Sequence, residues 1–213
     1  MEERYFAVQM AAARKQGRIK PIPIMTAKRV NTFWDLGRDT TFIWFHQYAA
    51  LEHRFIDCLH GVGKTLDYYA TEIQNKGYLL GTIYLPHDGG DKSVVTNITA
   101  KAKLQELFPG VKIRIVPRVP MKQIAIDAAR VRLAECYIHE INCREGIDGL
   151  ENYRKKWSEA IGNWSDEPVH DTASHPADAF MQFAQGWEPS HELGTAPIKH
   201  VPQYRPHDEG IGL

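Results

Sequence analysis

Three aspartates stand out because of where the chain puts them. Asp35 sits inside the run "FWDLG", between Trp34 and Leu36. A carboxylate embedded in an apolar strand needs a partner, a hydrogen bond or a metal, because an isolated buried charge is very costly. Asp88 follows the run "TIYLP" and precedes Gly89 and Gly90, which let the backbone turn sharply. In open α/β sheets ligands bind at the carboxyl ends of the parallel strands, where that turn would lie. Asp178 belongs to "HDTASHPADAF" and is expected in the first turn of a helix, with Ser174 as N-cap and Pro176 near the start. There the helix dipole favours an ionised carboxylate. Plainer explanations exist for each: Asp35 can pair with Arg38, Asp88 can be a turn residue, Asp178 a first-turn helix aspartate. Brought together at one sheet end, the three suit hard divalent cations such as Mg²⁺, which prefers carboxylates, water and phosphate oxygens at ~2.0–2.1 Å. Two such ions ~3.5–4 Å apart can clamp the attacking and leaving oxygens of a phosphodiester.

The neighbours of these residues supply further candidates. Asp171 stands either as a fourth carboxylate at the metals or as a turn residue ahead of the helix. His175, and less so His87 and His170, can orient a carboxylate or contact a phosphate, since Mg²⁺ itself favours oxygen over imidazole. Charge is uneven although the net formal charge is zero: residues 101–132 hold eight Lys and Arg against Glu106 and Asp127. Such a stretch is a solvated surface or a phosphate-binding face. The run "HGVGKT", His60 to Thr65, lacks the first glycine of a nucleotide-binding loop, because Cys58 occupies that position. It is better read as a strand-to-helix turn.

The elements that must position these residues can be read from hydrophobic period. "YFAVQMAAARKQG" predicts a short helix, and "RIKPIPI" an extended, exposed segment. "VNTFWDLG", "TTFIWFHQYAA" and "HRFIDCLH" are β-branched and aromatic, with connections so short that an antiparallel meander is expected. "LDYYATEIQNKG" then changes to helical spacing, with Leu66, Tyr69, Ala70 and Ile73 on one face. "YLLGTIYLP" and "VKIRIVP" read as strands; "ITAKAKLQELF", "MKQIAIDAARVRLAECYI", "REGIDGLENYRKKW" and "HPADAFMQFAQGW" read as helices. Three antiparallel strands followed by parallel βαβ units give an α/β mixed β-sheet flanked by helices. That order matches the ribonuclease H-like fold, and period alone leaves other α/β folds open.

Composition sets the outer bounds. A chain of 213 residues with 43% hydrophobic and 24% charged content can bury one sizeable core. No stretch approaches the ~18 apolar residues of a membrane span, and the N-terminus has no apolar block ending in a cleavage site. Cys58, Cys136 and Cys143 lack metal-finger spacing, so packing thiols in a reducing cytoplasm are expected.

Four stretches, "TFWDLG", "GYLLGTIYLPHD", "VPRVPMKQIAIDAARVRL" and "PVHDTASHPADAF", in that order resemble the nuclease domain of tailed-phage large terminase subunits. The resemblance covers residues 3–187. It implies a ribonuclease H-like fold and a metal-dependent endonuclease that cuts concatemeric double-stranded viral DNA during genome packaging. Its metal-binding acidic triad is matched by Asp35, Asp88 and Asp178, with Mg²⁺ or Mn²⁺ as cofactor and two ions in the mechanism. On that reading Asp35 bridges both ions and Asp88 and Asp178 each complete one. Arg118, Lys122 and Arg130 become candidates for contacts to the DNA backbone, which position a duplex without reading its sequence. The resemblance also implies an ATPase domain, a small terminase subunit and a portal protein as partners, in the cytoplasm of the host cell.

There are departures. The helix that often reads "DAFRY" in the family reads "DAFMQF" here, losing a basic residue near the site. The ATPase motor is not in this chain, which is expected to be an excised domain or a stand-alone product. Residues 1–187 are expected to form one terminase-like nuclease domain, residues 1–29 being its N-terminal helix and extended lead-in. Residues 188–213 are expected to be a flexible tail. Two other functions remain open: a ribonuclease H-like junction resolvase, and a non-catalytic module that docks DNA or a portal.

Overall fold

A computed structural model describes residues 3–37, 39–91, 98–160 and 162–191. Its centre is a seven-stranded mixed sheet of order β1-β7-β4-β3-β2-β5-β6. The strands β2 (Val30–Leu36), β3 (Thr40–Ala49) and β4 (Glu52–Val62) form the antiparallel meander. Parallel strands extend it on both sides: β5 (Leu80–Leu85) and β6 (Lys112–Ile115) beyond β2, then β7 (Cys136–His139) and β1 (Ile19–Lys20) beyond β4.

Alternation along these strands sends side chains to two cores. Phe33, Phe42, Trp44, Phe55 and Tyr84 face one side. There they meet α1 (Ala7–Lys15), α4 (Lys122–Leu133), α5 (Arg144–Asn152) and α6 (Ser174–Gly186). Trp34, Ile43, Phe45, Ile83 and Leu85 face the other, under α2 (Leu66–Asn75) and α3 (Ala100–Leu107). Fully burying one such large apolar side chain contributes roughly 1.5–3 kcal/mol, so this double row of aromatics is the main reason the central strands stay in register. Asp35 has the parity of Phe33 and therefore faces α6.

Several expectations need correction. The segment "AECYI" does not continue α4: the helix stops at Leu133, and Cys136–His139 is a strand between β1 and β4. "YRKKW" likewise leaves α5 at Asn152 and becomes β8 (Lys155–Ser158), which pairs with β9 (Asn163–Pro168) as a separate hairpin. In "RIKPIPI", Ile19 and Ile22 are buried rather than exposed, because Ile19 pairs with Ile138 of β7. The helix expected to start at a Ser174 cap begins on Ser174 itself with Ala173 before it, so Asp178 lies in the second turn. The cause is Asp171, whose carboxylate accepts from Ala173 N at 2.9 Å while its carbonyl accepts from Ser174 Oγ at 2.8 Å. "HGVGKT" is the expected strand-to-helix turn: Thr65 caps α2, accepting from Tyr68 N at 3.3 Å. All three cysteines are free thiols. Arg38 and residues 192–213 of the tail lie outside the described residues.

Candidate active site

The end of β2 and the start of α6 meet at one ion pair. His175 Nδ1 lies 2.8 Å from Asp35 Oδ2, with the two side chains 15% and 17% exposed. The hydrogen bond to Asp35 holds the imidazole above its ordinary pKa, against the opposing effect of burial; the charges of Asp35, Asp178 and Asp171 add to the rise. Two contacts fix the helix start that carries His175. Trp44 Nε1 on β3 donates to the carbonyl of Pro176 at 2.9 Å, and Gly37 passes so close that a Cβ there would meet His175 Cε1 at 3.2 Å.

Asp178 lies on the same face of α6 as His175, three residues on. Burial pushes its carboxyl above the usual range; Lys122 pulls it down, and the negative charge of Asp35 pushes it up again. Lys122 Nζ, at the first residue of α4, stands 2.6 Å from Asp178 Oδ1. Two carboxylates from distant parts of the chain thus reach one neighbourhood, Asp35 bonded to His175 and Asp178 paired with Lys122.

Asp88 is exposed on the 3-10 turn His87–Gly90 that follows β5. That turn lies beside the end of β2: a Cβ added to Gly89 would stand 2.9 Å from Leu85 Cβ and 3.4 Å from Leu36 Cδ1. Beside it opens a cleft of about 260 Å³ whose lining includes His87, Arg118, Lys122, Asp178, Gln182 and Gln185. A second cleft, of about 360 Å³, is lined by His175 together with Phe42, His60, Val62 and Pro176, among others.

The remaining candidates have other occupations. Asp171 pairs with Arg154 at 2.7 Å and holds the turn before α6. His170 Nδ1 contacts Ser174 Oγ at 2.9 Å, and its ring lies 5.5 Å from that of His175. Arg130 donates to the carbonyl of Tyr5 at 3.0 Å and pairs with Asp127 at 2.9 Å, so it is committed to the packing of the N-terminus. Sequence reasoning missed Tyr153. Among the described residues its buried hydroxyl has no hydrogen-bond partner, and burial, then the charges of Asp178, Tyr5, Asp35 and Asp171, pushes its pKa far up. Nothing in "ENYRKKW" distinguishes it; only the fold places it near the acids.

These residues can be tested against the metal that the resemblance implies. Asp35 and Asp178 are oxygen donors of the type a hard cation takes, and the orphaned Tyr153 hydroxyl marks a place where a hydrating water would find a donor. They fit as the nucleus of such a site. Among the described residues, however, no three His, Cys, Asp or Glu side chains are close enough together to share one ion.

Solved structures provide the comparison. The large terminase nuclease of the thermophilic phage G20c, solved with bound cobalt, matches with a TM-score of 0.53 at 14% identity, covering 85% of this chain and 98% of that one. The nuclease domain of the large terminase of bacteriophage SPP1, solved with bound manganese, gives 0.52 at 16% identity, with 77% and 92% covered. The fold is that of the large-terminase nuclease domains. It confirms the α/β, ribonuclease H-like mixed sheet expected from the order of elements. The large terminase of a further thermophilic bacteriophage, in complex with ATP-γ-S, matches at 0.61 and 14% identity over 83% of this chain. This chain spans 44% of that longer one. No protein-family model and no curated protein matches the sequence. Among the described residues, no helix is long and apolar enough to cross a membrane.

Proposed function

We propose that this chain is a metal-dependent endonuclease that cleaves double-stranded viral DNA during genome packaging. The observation that carries the reading is the approach of Asp35 to the start of α6 through His175, with Asp178 of the same helix lining a cleft that also presents Arg118 and Lys122, in a fold shared with terminase nucleases. Asp35, Asp178 and Asp88 would hold Mg²⁺ or Mn²⁺, two ions in all. Bound there, such ions would polarise a phosphoryl oxygen and lower the pKa of a water near neutrality. Asp35 would serve both ions, since β2 pairs with β5, which leads into the turn carrying Asp88, while Asp35 itself contacts His175 on α6, the helix that carries Asp178. His175 orients Asp35 by its 2.8 Å contact, limiting the rotamers the carboxylate can adopt. Arg118 and Lys122 would contact backbone phosphates and set the duplex against the acids without reading bases. An ATPase domain, a small terminase subunit and a portal protein would be its partners in the host cytoplasm.

Replacing Asp35 with Asn tests the mechanism. The variant should keep its fold and lose cleavage of plasmid DNA in Mg²⁺ or Mn²⁺ by at least about a hundredfold, on the scale of removing one preorganised transition-state group. Full cleavage by Asp35→Asn removes the residue from the mechanism. A docking module without catalysis has one observation in its favour, the side-chain partner that Asp35 and Asp178 each already possess. It predicts DNA retention insensitive to divalent metals and no Mn²⁺ uptake in calorimetry.

A further inference from the structure

Lys122 and Asp178 form an unequal pair. The carboxylate is 21% exposed and the lysine side chain 42% exposed, with 2.6 Å between Nζ and Oδ1. Burial acts on the carboxylate, so the pair persists because Asp178 needs a positive charge nearby. Lys122 has water as an alternative. It is the first residue of α4, just beyond the segment Val116–Pro120, and lines the 260 Å³ cleft together with that segment. Its flexible four-carbon stem lets the ammonium move between the carboxylate and the cleft without disturbing the helix.

Resting on the metal-site reading above, we infer that Lys122 is an exchangeable counter-ion: it neutralises Asp178 when no divalent cation is bound, and turns to a DNA phosphate when one is. A divalent cation on Asp35 and Asp178 removes the need for the ammonium and repels it at close range. The displaced charge then lies beside Arg118, where two cations attract a phosphodiester more strongly than one. A phosphate in the cleft, conversely, draws Lys122 off Asp178 and opens the carboxylate to the metal. Metal and DNA therefore bind with positive coupling, and the coupling is reciprocal. Lys122 is a positioning residue in this scheme, acting through Asp178 and the phosphate rather than on the reacting bond.

The experiment measures Mn²⁺ affinity directly, without turnover. Calorimetric titrations of the whole chain with Mn²⁺ alone compare the parent protein with Lys122→Met, Lys122→Gln and Lys122→Arg. Thermal melts confirm that each variant is folded. Removing the competing charge should tighten Mn²⁺ binding about fivefold in the Met and Gln variants, the scale of a partly exposed ion pair, and leave Lys122→Arg close to the parent. Duplex binding measured by anisotropy in Ca²⁺, which takes the same oxygen ligands, should strengthen with added Ca²⁺ in the parent and lose that response in Lys122→Met. Parent and Lys122→Met proteins that take up Mn²⁺ equally overturn the exchange and leave the metal site standing. Failure of all four proteins to bind Mn²⁺ overturns both.

Discussion

Burial raises the proton affinity of Asp178, Lys122 opposes it, and the negative charge of Asp35 adds to it again. The sign of the consequence follows from linkage. A carboxyl whose folded pKa lies above its unfolded value, 3.8, contributes stability that is present below that value and lost as pH rises through the folded pKa. At neutral pH the ionised Asp178 is therefore a burden on the fold, kept for what it can bind. Asp178→Asn retains shape and removes the charge, and Lys122, largely solvated, tolerates the loss of its partner. The variant should melt about 2–4 °C higher, the scale of ~1 kcal/mol in a domain of this size, while losing cleavage. A lower melting temperature would mean that the ion pair outweighs burial. Asp178 was recognisable in the sequence because acids crowd around one helix start. Its partner was not: Lys122 is 56 residues away, and such a pair exists only once α4 packs on α6.

The helix pair α5 and α6 sets the position of His175 and Asp178. Gly149 of α5 lies directly against the ring of Pro176, where a Cβ would come within 2.6 Å of Pro176 Cβ. The pyrrolidine cannot rotate away, and Trp44 holds the carbonyl of the same residue. In an exposed helix Gly→Ala usually stabilises by up to ~1 kcal/mol. Here Gly149→Ala should instead destabilise by about 1–3 kcal/mol in urea titrations and lower cleavage, because α6 must shift with its two site residues. A stabilised variant would show that the two helices have room to part. Contacts of this kind also explain what period-reading could and could not recover. The β2–β3–β4 meander and the β5 and β6 strands were legible because each is a long or strongly β-branched run bounded by turns. Strand β7 was not: Cys136–His139 follows α4 with only Ala134 and Glu135 between, and no Gly or Pro marks the break. It is a strand because β1 and β4 supply its ladder. The "KKWS" of β8 is likewise polar and short, and becomes extended by pairing with β9.

The molecule as a whole is closed by a buried histidine pair. His46 on β3 and His53 on β4 meet at 3.0 Å, Nε2 to Nδ1, and Trp187 at the end of α6 covers them, 4.4 Å from His53 between ring centroids. Because one ring must donate and the other accept, the pair is built for the neutral state. Burial lowers both: His53 falls to about 4 and His46 goes well below 6.5, with the positive charge of Arg132 adding to each and His53 adding to the effect on His46. The surroundings offer little relief, since Glu135 is 3.9 Å from His53 Nε2 and exposed, and His46 Nδ1 has no partner among the described residues. A histidine whose folded pKa lies below the unfolded 6.5 contributes full stability above that pH and loses it as the pH falls towards the folded value. Each group adds a slope of up to ~1.4 kcal/mol per pH unit. Asp178, with its raised pKa, acts in the opposite direction, but it is one group against two. Urea titrations should therefore show stability falling steeply between about pH 6.5 and pH 4, the interval set by the two histidines. The double variant His46→Leu/His53→Leu should flatten that slope, whatever its absolute stability at pH 7.5. A parent protein equally stable at both ends of the interval would mean that the pair accepts a proton without opening, and that Trp187 does not seal it from water.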